Sequence, residues 1–173
     1  MKERQVKPFP KPTKKLYRFH EFSSYHDGRI NEAPEPVDRS FSELFLDPEK
    51  ACIVYIRANL KVDRIARMMR DIHAIPMCHG AMNYASIWNR KATYFCDESG
   101  GGKPGDPNTW VWYKIDNSIP NNKVVQKIDP KKVREHLTFS EADKISSDWF
   151  FFDGSFTDLF KALSKEGFTI INN

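Results

Sequence analysis

Two histidine–acid pairs, His20-Glu21 and His26-Asp27, stand within eight residues of each other. All four side chains can bind a metal ion. On an extended chain His20 and His26 would share a face about 20 Å apart, too far for one ion. A turn at Ser23-Ser24 would be needed to join them; otherwise they are surface or interface polar groups. A second set, Cys52, His73, Cys78, His79 and Cys96, mixes thiols and imidazoles suited to zinc. It lacks the close cysteine pairs of structural zinc sites. Buried cysteine is a common core residue, so three core thiols are the simpler expectation. The run GGGKPGD has the glycines of a phosphate loop but neither the Gly-Lys-Ser/Thr ending nor a following helix. It is expected to be a hairpin tip whose Lys103 can touch an acidic partner. No metal and no cofactor follow from these residues.

The segment His136-Leu137-Thr138 has the His-x-Thr form found in two-histidine phosphoesterases. Those need two copies, one imidazole acting as base and one as acid, and this chain has one. A small hydrolase or lyase would therefore rest on a site the sequence does not locate. The aromatic and basic residues carry more. In the apolar run ACIVYIR, Tyr55 and Arg57 fall on one face and Val54 and Ile56 on the other. In TWVWYKI, Trp110, Trp112 and Lys114 share a face. Rings beside cations on an open sheet face can stack bases and hold phosphates. The same rings can equally pack a core or a subunit contact, which is the commoner use. The segments IVYIRANL and RKATYFC resemble the two signature strands of the RNA-recognition motif. The first carries one residue more than that pattern and the second lacks its glycines and one aromatic, so the likeness is that of a shared βαβ plan.

Charge is unevenly placed. Residues 1–18 hold seven cations (Lys2, Arg4, Lys7, Lys11, Lys14, Lys15 and Arg18) against Glu3 alone, a net of +6. The whole chain carries +4, so the other 155 residues sum to −2. The basic character belongs to a tail, which speaks of partners and not of fold. Pro8, Pro10 and Pro12 forbid a helix there and favour extended chain. There is no apolar run long enough to span a membrane and no apolar signal region. Sparse, odd-numbered cysteines suit a reducing, cytoplasmic setting.

These features must be positioned by a small set of elements. ACIVYIR predicts a buried strand. Val62, Ile65, Ala66, Met69 and Ile72 predict an amphipathic helix over 61–73. On its polar side Arg64, Arg67 and Arg70, with Lys61 and Arg57, form a basic ridge interrupted by Asp63 and Asp71. KATYFC and TWVWYKI predict strands joined by a turn-rich hairpin loop at 97–109. A short helix at 40–46 is capped by Ser40 and Glu43. Another is expected at 130–137 behind Asp129-Pro130. Ser155 and Asp158 cap a helix with the stripe Phe156, Leu159, Phe160 and Leu163, and Gly167 ends it before the strand FTII.

The expected fold is α+β: an antiparallel sheet of about four to six strands with two main helices on one face. Its centre would be ferredoxin-like, the split βαβ plan. The expected organisation is a basic, proline-rich arm at 1–18 and a single domain at 19–173. The expected function is a non-enzymatic binding protein, in style a viral or phage accessory factor, that engages RNA or DNA. Its binding residues would be Lys2, Arg4, Lys7, Lys11, Lys14, Lys15, Arg18, Tyr55, Arg57, Arg64, Trp110 and Trp112. The alternatives are a subunit whose arm docks on a protein partner, and the unlocated hydrolase or lyase.

Overall fold

A computed structural model of the chain describes residues 15–19, 35–49, 51–59, 92–103, 106–132 and 147–173. The helix expected at 61–73, all five histidines, Cys78, Arg64 and the arm up to Lys14 lie outside the described residues. Eight strands form one sheet: β1 Leu16–Phe19, β2 Glu35–Pro36, β3 Ala51–Ile56, β4 Ala92–Asp97, β5 Val111–Asp116, β6 Val124–Ile128, β7 Ser147–Phe152 and β8 Thr169–Ile171. Among the described residues two complete α-helices accompany them, α1 Phe41–Phe45 and α2 Phe156–Lys165, with a 3-10 turn at Pro107–Thr109.

The strand order is β2-β1-β7-β3-β4-β5-β6-β8. Strand β3 is interior and parallel to both neighbours, β4 and β7. Such a strand is covered on both faces, which explains why Cys52 to Ile56 is apolar at every position and buried throughout. Strands β4, β5 and β6 follow as antiparallel neighbours, and β8 closes that end parallel to β6. At the other end β1 pairs antiparallel with β7 and with β2.

The ferredoxin-like expectation is therefore corrected. The sheet is mixed, not antiparallel, and has eight strands instead of four to six. The described residues give it two complete α-helices, one of them only five residues long, and the helical start at 130–132 of the helix expected at 130–137, whose remainder lies outside the described residues. The reason lies in β7. Its sequence, SDWFFF, lies at the end of a long polar stretch and gives no alternation. Yet its backbone occupies the edge of β3, the place where a split βαβ plan would seat the last strand. The C-terminal strand goes instead to the far end of the sheet, beside β6, which the short run VVQKI also conceals.

Helix α2 makes that journey possible. Going from β7 to β8 crosses five strand spacings, about 24 Å. Ten helical residues supply about 15 Å, and the flanking turns supply the rest. The helix starts where the sequence predicts. The Ser155 hydroxyl accepts the Asp158 N–H (3.1 Å) and the Asp158 carboxylate accepts the Ser155 N–H (3.1 Å), a closed capping box. It stops at Gly167, whose φ of +91° is cheap only for glycine. Leu159 and Leu163 are buried in the core with Val54, Phe95, Ile115 and Phe150. Phe156 and Phe160 bracket the Tyr113 ring at 4.9 and 4.8 Å between centroids.

Helix α1 is too short to be stable alone and is held at both ends. The Ser40 hydroxyl accepts the Glu43 N–H at 3.1 Å. The Phe41 and Ser42 N–H groups donate to the Glu166 carboxylate at 3.1 and 3.2 Å. At its other end the Phe45 carbonyl accepts from Thr93 Oγ1 and from Asn117 Nδ2, both in the interior. The Phe45 ring is edge-on to Phe95 and Phe150.

Truncating Leu163 to alanine should cost about 2–5 kcal/mol, because it empties a fully buried site under α2. Urea denaturation measures this. An unchanged midpoint would show that α2 does not seal this face.

Candidate functional site

Strand alternation divides the candidate residues between two faces. Leu16, Cys52, Val54, Ile56, Phe95, Tyr113, Phe150 and Phe152 point toward α1 and α2. Tyr17, Ile53, Tyr55, Tyr94, Trp112 and Phe151 point the other way. Tyr55 and Trp110 meet at 5.6 Å, Tyr94 and Trp112 at 6.4 Å, and the two indoles stack at 6.4 Å with 17° between their planes.

Tyr55, Trp110 and Trp112 are thus together, as the sequence suggests, but buried at 0%, 2% and 1% exposure. Their polar handles are used inside the protein. Trp110 Nε1 donates to the Lys103 carbonyl at 2.8 Å, and Trp112 Nε1 to the Pro107 carbonyl at 2.9 Å. In this region the Lys103 and Pro107 carbonyls thus face the indoles. Gly102 is required by packing: a Cβ there would stand 2.6 Å from the Glu98 carbonyl oxygen and 2.9 Å from the Trp110 ring. Burial pushes the Tyr55 hydroxyl far above its ordinary pKa, with Cys96, Glu98 and Asp97 adding to the shift. Burial also raises Tyr113 and the Cys96 thiol.

Arg57 leaves the end of β3 and its Nη1 donates to Glu98 Oε1 at 2.9 Å. The guanidinium is 38% exposed while the carboxylate is 4% exposed, so Arg57 neutralises a buried acid beneath it. Asp97 receives Ser99 through both its backbone and its hydroxyl. Cys52 and Cys96 are both buried thiols outside any disulfide, but they lie on opposite faces and three rungs apart. They cannot share one metal ion. Among the described residues, no group of three histidine, cysteine or acidic side chains is arranged to hold a metal. No helix among them is long and apolar enough to cross a membrane.

Arg18 stands opposite Glu35 in the β1–β2 register, in a hollow also lined by Asp38, Glu43 and Asp47. Its surroundings are acidic. Lys15 is different. It borders a groove of about 470 Å³ between α1, α2 and the start of β1. Lys15, Arg39, Lys161 and Lys165 form its rim, and Leu16, Val37, Phe41 and Phe152 supply apolar lining. Two acids also line it, and both carboxylates are engaged. Asp158 closes the α2 capping box and lies 3.9 Å from Lys15 Nζ. Glu166 holds the α1 amides. The Ser155 backbone N–H, then its hydroxyl, then Lys15 lower the Asp158 pKa from its ordinary value. Arg39 Nε lies 3.6 Å from Glu43, an exposed pair of the weak i,i+4 kind.

Sequence reading finds Lys15 here but not Arg39, Lys161 or Lys165. The only available signal is that Lys161 and Lys165 repeat four apart on the polar side of α2. Against known protein families, curated proteins and solved structures, the chain shows no match.

Two pH dependences follow. Asp158 has a lowered folded pKa, so its contribution is present above the ordinary aspartate pKa and lost as pH falls through the folded value. Ser155→Ala should therefore shrink the drop in melting temperature between about pH 5 and about pH 3. An unaltered acid limb would mean the cap is not coupled to folding. Tyr55 and Tyr113 have raised folded pKa values, so their contribution is whole below the ordinary tyrosine pKa of about 10 and lost as pH rises beyond it. Absorbance at 295 nm should show a fraction of tyrosine that ionises only as the protein unfolds, smaller in Tyr55→Phe. Complete ionisation of the folded protein near pH 10 would contradict this placement.

Proposed function

We propose that this protein is a non-enzymatic binder of a polyanion, RNA or DNA, through its basic segment 1–18 and the cation-rimmed groove where that segment joins the sheet. The observation that carries this reading is the position of Lys15. It is the last lysine of the basic segment and also part of the groove rim with Arg39, Lys161 and Lys165. The arm's charge thus continues onto a local patch of a body that is otherwise net acidic. A polyanion would be attracted at one place and repelled elsewhere, which orients it. The sheet aromatics Tyr55, Trp110 and Trp112 serve packing in this reading, and Arg57 serves Glu98.

Affinity of this kind depends on salt, because every phosphate neutralised releases counterion. Four to six contacts predict a log–log salt slope of roughly −3 to −5. Deleting residues 2–14 removes Lys2, Arg4, Lys7, Lys11 and Lys14 while leaving β1 intact. The slope should flatten by about 2 or more. Fluorescence titration with a labelled oligonucleotide at several salt concentrations decides the matter. Equal slopes with and without the arm, or no binding to RNA or DNA at low salt, would leave docking on a protein partner as the arm's role.

A further inference from the structure

We infer that the groove between α1 and α2 selects single-stranded nucleic acid over duplex by seating an unpaired base on its apolar lining. This rests on the polyanion reading above and adds which form of the polyanion is bound. A duplex turns its bases inward and offers a protein mainly phosphates, for which a ridge of cations is enough. Here the cations rim a concave site with a hydrophobic lining. Val37, Phe41 and Ala162 are only half-buried in it, while Leu16 and Phe152 lie deeper. An unpaired nucleotide presents both chemistries together, a flat base and an adjacent phosphate.

The geometry suits that occupant. The Phe41 ring stacks on Phe45 at 5.2 Å with 5° between planes, so it is held rigid from beneath. A fixed ring can receive a base without paying for its own ordering. Lys161 and Lys165 are one helical turn apart, about 6 Å along the axis, and follow successive phosphates of an extended strand. Arg39 and Lys15 complete the rim on the α1 and β1 sides. Asp158 and Glu166 keep their charge while accepting helix amides, but Lys15, Arg39, Lys161 and Lys165 outnumber them and leave the groove net positive.

The test uses one fluorescein-labelled sequence as a single strand and as a duplex. Polarisation is read with the full chain, with Phe41→Leu, with the pair Lys161→Glu and Lys165→Glu, and with residues 2–14 deleted. Phe41→Leu keeps the apolar contact with the core but removes the aromatic face, and circular dichroism confirms that it folds. The expected result is single-strand affinity above duplex affinity by about tenfold, falling about fivefold or more in Phe41→Leu with duplex affinity unchanged. The double charge reversal should weaken both forms. Equal affinities for strand and duplex in the full chain, or a Phe41→Leu variant that binds the strand as tightly as its parent, would overturn the inference. Displacement of the oligonucleotide by polyglutamate at equal charge would also overturn it, because the groove would then be reading charge without bases. If the arm deletion flattens the salt slope while strand and duplex bind alike, the polyanion reading stands and the groove inference alone fails. If neither form binds at low salt, both fail.

Discussion

The Glu166 carboxylate is the interaction on which the helix side of this molecule depends. It stands at the C-terminal cap of α2 and receives two backbone N–H groups from the first turn of α1, more than 120 residues earlier in the chain. A five-residue helix cannot persist without such partners, because its first amides have no acceptors of their own. The clamp therefore fixes where α1 lies against α2 and, with it, the width of the groove between them. The opposite end of α1 is fixed from below by Thr93 and Asn117. The groove is thus bounded by two helices whose separation is set by hydrogen bonds, over a lining set by sheet packing.

The two faces of the sheet divide the labour. On one, tyrosine and tryptophan rings pack on one another and the two indoles donate their N–H groups to the Lys103 and Pro107 carbonyls, so their area goes into cohesion. On the other, α1 and α2 cover the core unevenly and leave a concave strip between them. Burial and charge therefore separate. The aromatic face holds the Arg57–Glu98 ion pair with the acid inside, whereas the helix face carries the groove's lysines and arginine at the surface.

How much of this is legible in the residues depends on how local the signal is. The strand at ACIVYI, the hairpin from KATYFC to TWVWYKI, the capping box at Ser155 and Asp158, and the glycine stop at Gly167 are written in neighbouring residues, and each is present. Topology is not written that way. Nothing in SDWFFF says that it inserts between β1 and β3, and nothing in VVQKI says that it accepts the C-terminal strand. Those are outcomes of long-range pairing, so the ferredoxin-like plan fails at that level. The same holds for the site. Lys15 is visible as part of a charge cluster, but Arg39 and Lys165 become its neighbours only through the fold. Trp110 and Trp112 are rightly placed on one face, yet the loop that occupies their N–H groups lies in a glycine-rich stretch with no pattern of its own.

Strand β7 also sets an order of events. Among the described strands, β1 pairs with β7 and with the two-residue β2. During synthesis β1 emerges about 130 residues before the strand it must pair with, while β3, β4 and β5 can assemble among themselves in the interval. The N-terminal strand is thus attached late, after the centre of the sheet exists. Lys15, at the foot of that strand, gains its place beside Lys161 and Lys165 of α2 only when the sheet closes. In this molecule, completion of folding and assembly of the cationic surface are one step.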